Sequence, residues 1–418
     1  MTESDQNEYA ILLPGARVAV FSEDEHTLGV AEGLTQDWRF ARVEVVPQKG
    51  DVKSAIAYSA QYASPDLIIV QTEVIDDEFT AHLEELAGHC DEGTAAIVIG
   101  PVNDVYLYRK LVDMGVSDYL VKPMTEDILS KVIAKTLVEK RGVSGSKLIS
   151  VIGAKGGIGT TAISQALAWG ISDMLGQKTA LLDVAGGWSS MSVGIGFEPV
   201  TTLAEAVAAA ARDDQDSIKR MMHKASDKLE VLAHGVDSLF DQSVTAEQVE
   251  TLLETMLTRT PVVVADLSQS QASFRQALLS RSNFIIVTSS PVLSSLRLAR
   301  SLIHEMKDLR GGASDSVRLL ITMQGMAGAQ EVPKKDIAQA MDFEPAGFVP
   351  FDPKLFQRME NDAEPLIKDS QGAALVKTIL LPLVQNILSA DDNALKATST
   401  AQSAGLLGGI LGKFSGKR

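Results

Sequence analysis

Apolar residues in the first third of the chain fall in short runs separated by longer amphipathic stretches. The runs are Arg17–Phe21, Ala41–Val46, Asp66–Val70, Ala95–Ile99 and Ser117–Leu120. Helical spacing marks 27–36, 51–62, 77–88, 103–114 and 125–140 between and after them. Strand and helix alternating five times predict a mostly parallel sheet with helices on both faces. From Lys147 the pattern repeats at larger scale. Strands are expected at Lys147–Ile152, Thr179–Asp183, Leu229–Ala233, Pro261–Asp266, Asn283–Thr288, Val317–Met323 and Glu344–Val349. After the first of these, Ala162, Ile163, Ala166, Leu167, Ile171, Met174 and Leu175 recur about every 3.6 residues, which gives a helix one apolar face. The pattern predicts an α/β protein with two doubly wound parallel-sheet domains, over 10–138 and 148–389. Polar, glycine-bearing 139–147 reads as a linker, and 390–418 as a flexible C-terminal tail.

Composition narrows this. Of 418 residues, 45% are hydrophobic and 22% charged, as in ordinary soluble proteins. Cys90 is the single cysteine, which excludes an internal disulfide and a Cys-rich zinc site and fits a reducing cytoplasm. Six histidines lack metal-ligand spacing. The acidic start has no basic n-region, and no apolar run reaches the roughly 18 residues of a membrane span. A cytoplasmic location is expected. The net charge of −16 is uneven: residues 1–138 hold 24 acids and 10 bases, and residues 139–418 hold 30 and 28. No basic half exists, which argues against bulk nucleic-acid binding.

Chemistry concentrates after Lys147–Ile152, where Gly153-Ala-Lys-Gly-Gly-Ile-Gly-Thr-Thr161 leads into the amphipathic helix. Gly156, Gly157 and Gly159 let backbone N–H groups converge on phosphate oxygens, Ile158 completes the turn, and the helix adds its positive end. Thr161 sits where a hydroxyl ligates Mg²⁺. Ala154 and Thr160 depart from the strict P-loop pattern, since Thr160 occupies the position of the phosphate-binding lysine. Lys155, just ahead of the glycines, supplies charge that Thr160 does not.

The first block resembles the receiver domain of two-component response regulators, through Pro65-Asp66 and Asp118-Tyr119-Leu120…Lys122-Pro123. The resemblance implies an acceptor Asp at the end of the third strand and a hydroxyl at the end of the fourth. Gln71 and Gly100 stand there instead, while Glu23 and Lys122 remain. A carboxamide is a poor nucleophile, so phosphorylation is not expected and the block reads as a docking module. Lys122 is then left to pair with a carboxylate.

The second block resembles the ParA/MinD ATPases, whose deviant P-loop reads KGGxG. The resemblance implies ATP and Mg²⁺ as ligands. It implies that Lys155 reaches a partner's nucleotide across a homodimer interface, that Asp183 is the first Asp of an Asp-x-Asp pair whose second is Ala185, and that Asp266 holds the Mg²⁺ shell. Thr322 falls where relatives carry Asn beside adenine, and Val349-Pro350-Phe351-Asp352 borders the base. The order of the two blocks, with Phe348–Phe356, resembles the CpaE/TadZ proteins of tight-adherence (Flp, type IVc) pilus systems. That resemblance implies an ATP-binding localisation factor with weak or absent hydrolysis, which recruits a secretion ATPase and hub proteins at a polar or focal site.

In the tail, Leu406, Leu407, Ile410, Leu411 and Phe414 share a helical face beside Lys413, Lys417 and Arg418. The segment reads as a peripheral inner-membrane contact, a partner-docking helix or a disordered tail. Trp188 is either a nucleotide contact or a packed loop aromatic. Arg275, Arg281, Arg297 and Arg300 sit on helical segments after Asp266; the resemblance to partitioning ATPases implies DNA contacts by basic residues near the dimer seam, but Arg297 and Arg300, three apart, read rather as a solvated helix face. Three other functions compete: a ParA-like ATPase cycling on DNA, a response regulator with an ATPase output, and a nucleotide-free pseudo-ATPase.

Overall fold

The computed structural model describes residues 12–91, 93–141, 146–185, 189–235 and 244–388. The predicted tail, Trp188 and most of the predicted linker lie outside them. The chain separates at Ser146 into two compact units.

In the first unit, β1 (Ala16–Ser22), β2 (Val43–Lys49), β3 (Leu67–Gln71), β4 (Ala95–Gly100) and β5 (Asp118–Val121) form one parallel sheet in the order β2-β1-β3-β4-β5. Alternate residues of the inner strands enter opposite cores. Val18, Val20, Leu67, Ile69, Ile97 and Ile99 pack on one face, and Ala19, Phe21, Ile68, Val70 and Val98 on the other. β2 carries Pro47, which lacks a ladder donor, and β2 accordingly sits at an edge. Four helices open on aspartate caps, Asp24, Asp51, Asp76 and Asp104, each accepting from backbone N–H groups of the first turn.

The second unit has β6 (Lys147–Gly153), β7 (Thr179–Asp183), β8 (His223–Lys224), β9 (Leu229–Leu232), β10 (Val262–Asp266), β11 (Phe284–Ser289), β12 (Val317–Gln324) and β13 (Pro345–Pro350). Their order is β13-β12-β11-β6-β10-β7-β9-β8. Only the two-residue β8 runs antiparallel, and its shortness hid it from the sequence pattern. Residues 148, 180, 182, 263, 285, 287, 319 and 321 face one core, and their neighbours 149, 181, 262, 264, 286 and 320 the other. The fold class therefore follows the hydrophobic pattern: an α/β protein with a five-stranded parallel sheet and a second, mainly parallel eight-stranded one.

One expectation needs correction. Ser370–Leu388 is a helix long and apolar enough by length and composition to cross a membrane. Here it is a core element: Val376, Leu380, Leu381, Leu383, Val384 and Leu388 are buried in the second unit. Polar residues interrupt it in sequence, and only the helical arrangement collects its apolar positions on a side. A π-turn in this helix, Val376–Leu380, meets the π-turn Gly170–Met174 that extends the P-loop helix. A Cβ on Gly170 would stand 2.5 Å from Val376 Cγ1 and 3.2 Å from Leu381 Cδ2.

Gly170→Ala should therefore cost about 1–3 kcal/mol by overpacking. Val376→Ala in the same chain should return part of that loss, so urea unfolding should give a double variant less destabilised than the sum of the singles. Strict additivity would remove this contact from the account.

Candidate functional site: a P-loop cleft in the second unit

β6 runs down the centre of the second sheet, and its carboxyl end turns through 154–159 into the helix Thr160–Trp169. Gly157 and Gly159 have φ of +76° and +83°, where a side-chain-bearing residue is strained, although a Cβ at either would meet open space. Gly153 is needed for the other reason: its Cβ would lie 2.4 Å from Thr160 Oγ1. The first intrahelical bond runs from the Ile163 N–H to the Gly159 carbonyl at 3.0 Å. The N–H groups of Thr160, Thr161 and Ala162 therefore have no carbonyl within the helix to meet, and form an anion-binding end.

Hydroxyl groups fix this loop. Thr160 is buried, and its Oγ1 lies 2.8 Å from Thr288 Oγ1, which donates to the Ile152 carbonyl at 3.3 Å. Thr322 donates to the Ile158 carbonyl at 2.8 Å. The Thr160 hydroxyl is thus committed downward into the sheet, and what this residue presents to an anion is its backbone N–H. Thr322 is likewise committed to the P-loop.

Two carboxylates stand beside the loop. Asp183 and Asp266 end β7 and β10, are paired in register, and are fully buried. Asp266 accepts from the Ser268 N–H at 3.0 Å and the Ser268 hydroxyl at 3.2 Å, and Thr161 Oγ1 lies 3.0 Å from that hydroxyl. Burial raises the Asp266 pKa against these hydrogen bonds. Asp183 accepts from the Ala185 N–H at 2.9 Å, but its Oδ2 has no hydrogen-bond partner among the described residues. Burial, with the charge of Asp266 adding to it, pushes the Asp183 carboxyl up to about 7, against the pull of Ser189 and Ala185. His234, which sequence reasoning passed over, lies directly after β9. Its Nε2 donates to the Asp183 carbonyl at 2.7 Å, and burial holds its pKa down to about 4. Its proximity to Asp183 depends on two strands meeting, so no local signal marked it.

A cleft of about 760 Å³ opens over the loop, a size usual for small-molecule sites. Lys155, Gly156, Gly157, Ile158, Gly159, Thr160 and Thr161 line it, and Pro350 and Asp352 line it from the end of β13. Lys155 is exposed at its mouth. Asp352 caps the helix Pro353–Asn361 by accepting from the Leu355 N–H at 3.1 Å, which holds the far wall in place. Asp183 and Asp266 do not line the cleft. Arg275, which is exposed, does. The residues fit Mg²⁺ with a phosphorylated ligand. Asp266 and Thr161 offer the hard oxygen donors that Mg²⁺ prefers, and the unpartnered Asp183 Oδ2 lies on the neighbouring strand end.

The carboxyl end of the first sheet is chemically quieter. Gln71 is buried and accepts from the Ser22 hydroxyl at 2.7 Å, and its amide lies 3.4 Å from Glu73. Lys122 pairs with Glu73. A Cβ on Gly100 would stand 2.4 Å from the Tyr119 hydroxyl, which donates to the Val102 carbonyl at 2.8 Å. A hydroxyl-bearing side chain at position 100 would collide with that ring as it is placed here.

A strand, P-loop and helix at the centre of a parallel sheet, with an Asp ending the adjacent strand, give the second unit the arrangement of a P-loop fold. Comparison makes the class narrower. A family model described as cellulose biosynthesis protein BcsQ matches residues 146–309. A ParA family ATPase from Chlorobium tepidum TLS is 18% identical with a TM-score of 0.52, over 58% of this chain and 99% of that one. MinD from Pyrococcus horikoshii OT3, solved with Mg-ADP, is 17% identical over 55% of this chain and 92% of that one, with a TM-score of 0.45. A putative CpaE2 pilus assembly protein from Sinorhizobium meliloti 1021 is 38% identical over 29% of this chain and 98% of that one, with a TM-score of 0.28. No curated protein matches the chain. The fold of the second unit is similar to that of the ParA family ATPase.

The two buried titratable groups give opposed pH dependences. Asp183 holds its proton in the folded chain up to about 7 and unfolded only to 3.8, so its contribution to stability falls as pH rises between those values. His234 stays neutral when folded down to about 4 but is protonated below 6.5 when unfolded, so its contribution is complete above 6.5 and is lost as pH falls towards 4. Each alone gives a slope of about 1.4 kcal/mol per pH unit. Between pH 4.5 and 6.5, without metal, stability in His234→Gln should therefore fall with rising pH relative to wild type. In Asp183→Asn it should rise. Urea unfolding with EDTA across this range checks both, and parallel profiles in all three proteins would contradict the assignment.

Proposed function

We propose that this protein is an ATP-binding localisation or assembly factor that dimerises on ATP with Mg²⁺ and hydrolyses it slowly or not at all. The observation that carries the reading is the cleft itself: a glycine-turned P-loop fixed by hydroxyls, with buried Asp266 and Asp183 on adjacent strand ends and exposed Lys155 at the mouth. The ligand class is that of the MinD relative solved with Mg-ADP. In this site the P-loop N–H groups and Lys155 bind the phosphates, Asp266 and Thr161 hold Mg²⁺, and Pro350 and Asp352 border the base. The metal would neutralise phosphate charge. Ala185 cannot orient an attacking water, which supports slow turnover.

The biological setting rests on the resemblance of the two-block order to CpaE/TadZ proteins: recruitment of a tight-adherence pilus secretion ATPase to a polar or focal site. The first unit serves as the docking module, because Gln71 cannot accept a phosphoryl group and Lys122 is occupied by Glu73. A peripheral inner-membrane contact through the tail completes the reading.

The experiment is ATP titration with Mg²⁺, followed by calorimetry and by size in solution. Wild type should bind and pass from monomer to dimer. Lys155→Ala should lose that shift and bind about 10- to 100-fold more weakly, the range for one charge-assisted contact. No binding by wild type at millimolar ATP would overturn the proposal in favour of a nucleotide-free scaffold.

A further inference from the structure

Position 160 leaves a deficit. A P-loop of ordinary pattern places a lysine ammonium against the outer phosphates. Here that position is a buried threonine whose hydroxyl is tied to Thr288. Among the described residues, four charged side chains line the cleft: Lys155, Arg275, Asp352 and Glu360.

Strand order separates them. Asp352 and Glu360 follow β13, Lys155 follows β6, and Arg275 follows β10 on the helix Ala272–Arg281. From β13 to β10 is four strand spacings, about 19 Å. The cleft is therefore polarised, with both cations towards the Asp266 side and both carboxylates towards β13. A phosphate chain is favoured at the first end and a neutral nucleoside at the second. Arg275 is exposed, and its guanidinium has no hydrogen bond or ion pair among the described residues. Three other arginines of this unit are occupied: Arg281 pairs with Glu250 at 2.6 Å, Arg358 with Asp369 at 2.7 Å, and Arg310 donates to the Leu279 and Ser282 carbonyls. Arg275 also stands in the first turn of its helix, where a cation opposes the helix dipole and gains nothing locally.

We propose that Arg275 is a ligand of the terminal phosphate of a bound nucleoside triphosphate and restores the charge that Thr160 does not supply. The inference rests on the nucleotide reading of the cleft. A guanidinium presents paired donors to phosphate oxygens, so its loss should fall on the triphosphate more than on the diphosphate.

The test is equilibrium binding of fluorescent ATP and ADP analogues, with Mg²⁺, to the full chain and its Arg275→Ala, Arg275→Gln and Arg275→Lys variants. Thermal melting should show all of them folded, since the side chain is exposed. In Arg275→Ala and Arg275→Gln the ATP analogue should bind at least about 10-fold more weakly while the ADP analogue changes less than about 2-fold. Arg275→Lys should recover part of the loss. Equal weakening of both nucleotides, or no weakening of either, overturns the role while leaving the nucleotide reading intact. Wild type that binds neither analogue overturns both.

Discussion

Thr160 Oγ1 and Thr288 Oγ1 meet at 2.8 Å beneath the P-loop, and the geometry of the site follows from that buried bond. It pins the first residue of the P-loop helix to β11, as Thr322 pins Ile158 from β12. Thr161, Ser268 and Asp266 connect the loop to β10 in the same way. Hydroxyl groups on three strands or their exits thus hold a turn whose Gly157 and Gly159 angles are open to few other residues. Breaking a buried hydrogen bond of this kind strands its partner without water. The loop is therefore preorganised by neutral groups, and Lys155 is the one cationic side chain within the motif.

Asp183 and Asp266 set the second constraint. Burial disfavours the charged form of both carboxyls, and repulsion from Asp266 adds to the upward shift at Asp183. Hydrogen bonds from Ser268 and Thr161 oppose the shift at Asp266. A divalent ion would relieve that repulsion, which links metal binding to the stability of the sheet. The first unit shows the contrasting outcome. Its strand ends keep acidic residues, but Gln71 and Ser22 satisfy each other and Lys122 is satisfied by Glu73. That closed arrangement suits a fixed surface better than a phosphorylation-driven switch.

The fold was legible because both faces of each central strand are buried, so the strands read as unbroken apolar runs between amphipathic helices. The P-loop was legible because its glycines are local in sequence. What stayed hidden depends on distant segments meeting. His234 reaches Asp183 only through the β7–β9 pairing. Arg275 reaches the cleft only because β10 lies next to β6. That the Thr160 hydroxyl is tied into the sheet shows only once Thr288 comes beside it. The helix Ser370–Leu388 escaped notice as a long apolar element because polar residues divide its core positions in sequence.

The central claim is that the 153–161 turn is a working phosphate cradle despite lacking the usual lysine. Hydrogen exchange at the amides of Gly156 to Thr161 measures this directly, because those N–H groups are the ones a phosphate would engage. Saturating ATP with Mg²⁺ should slow their exchange by about 10-fold or more while leaving the amides of β1–β5 unchanged. Unaltered exchange across the turn at millimolar nucleotide would contradict the account.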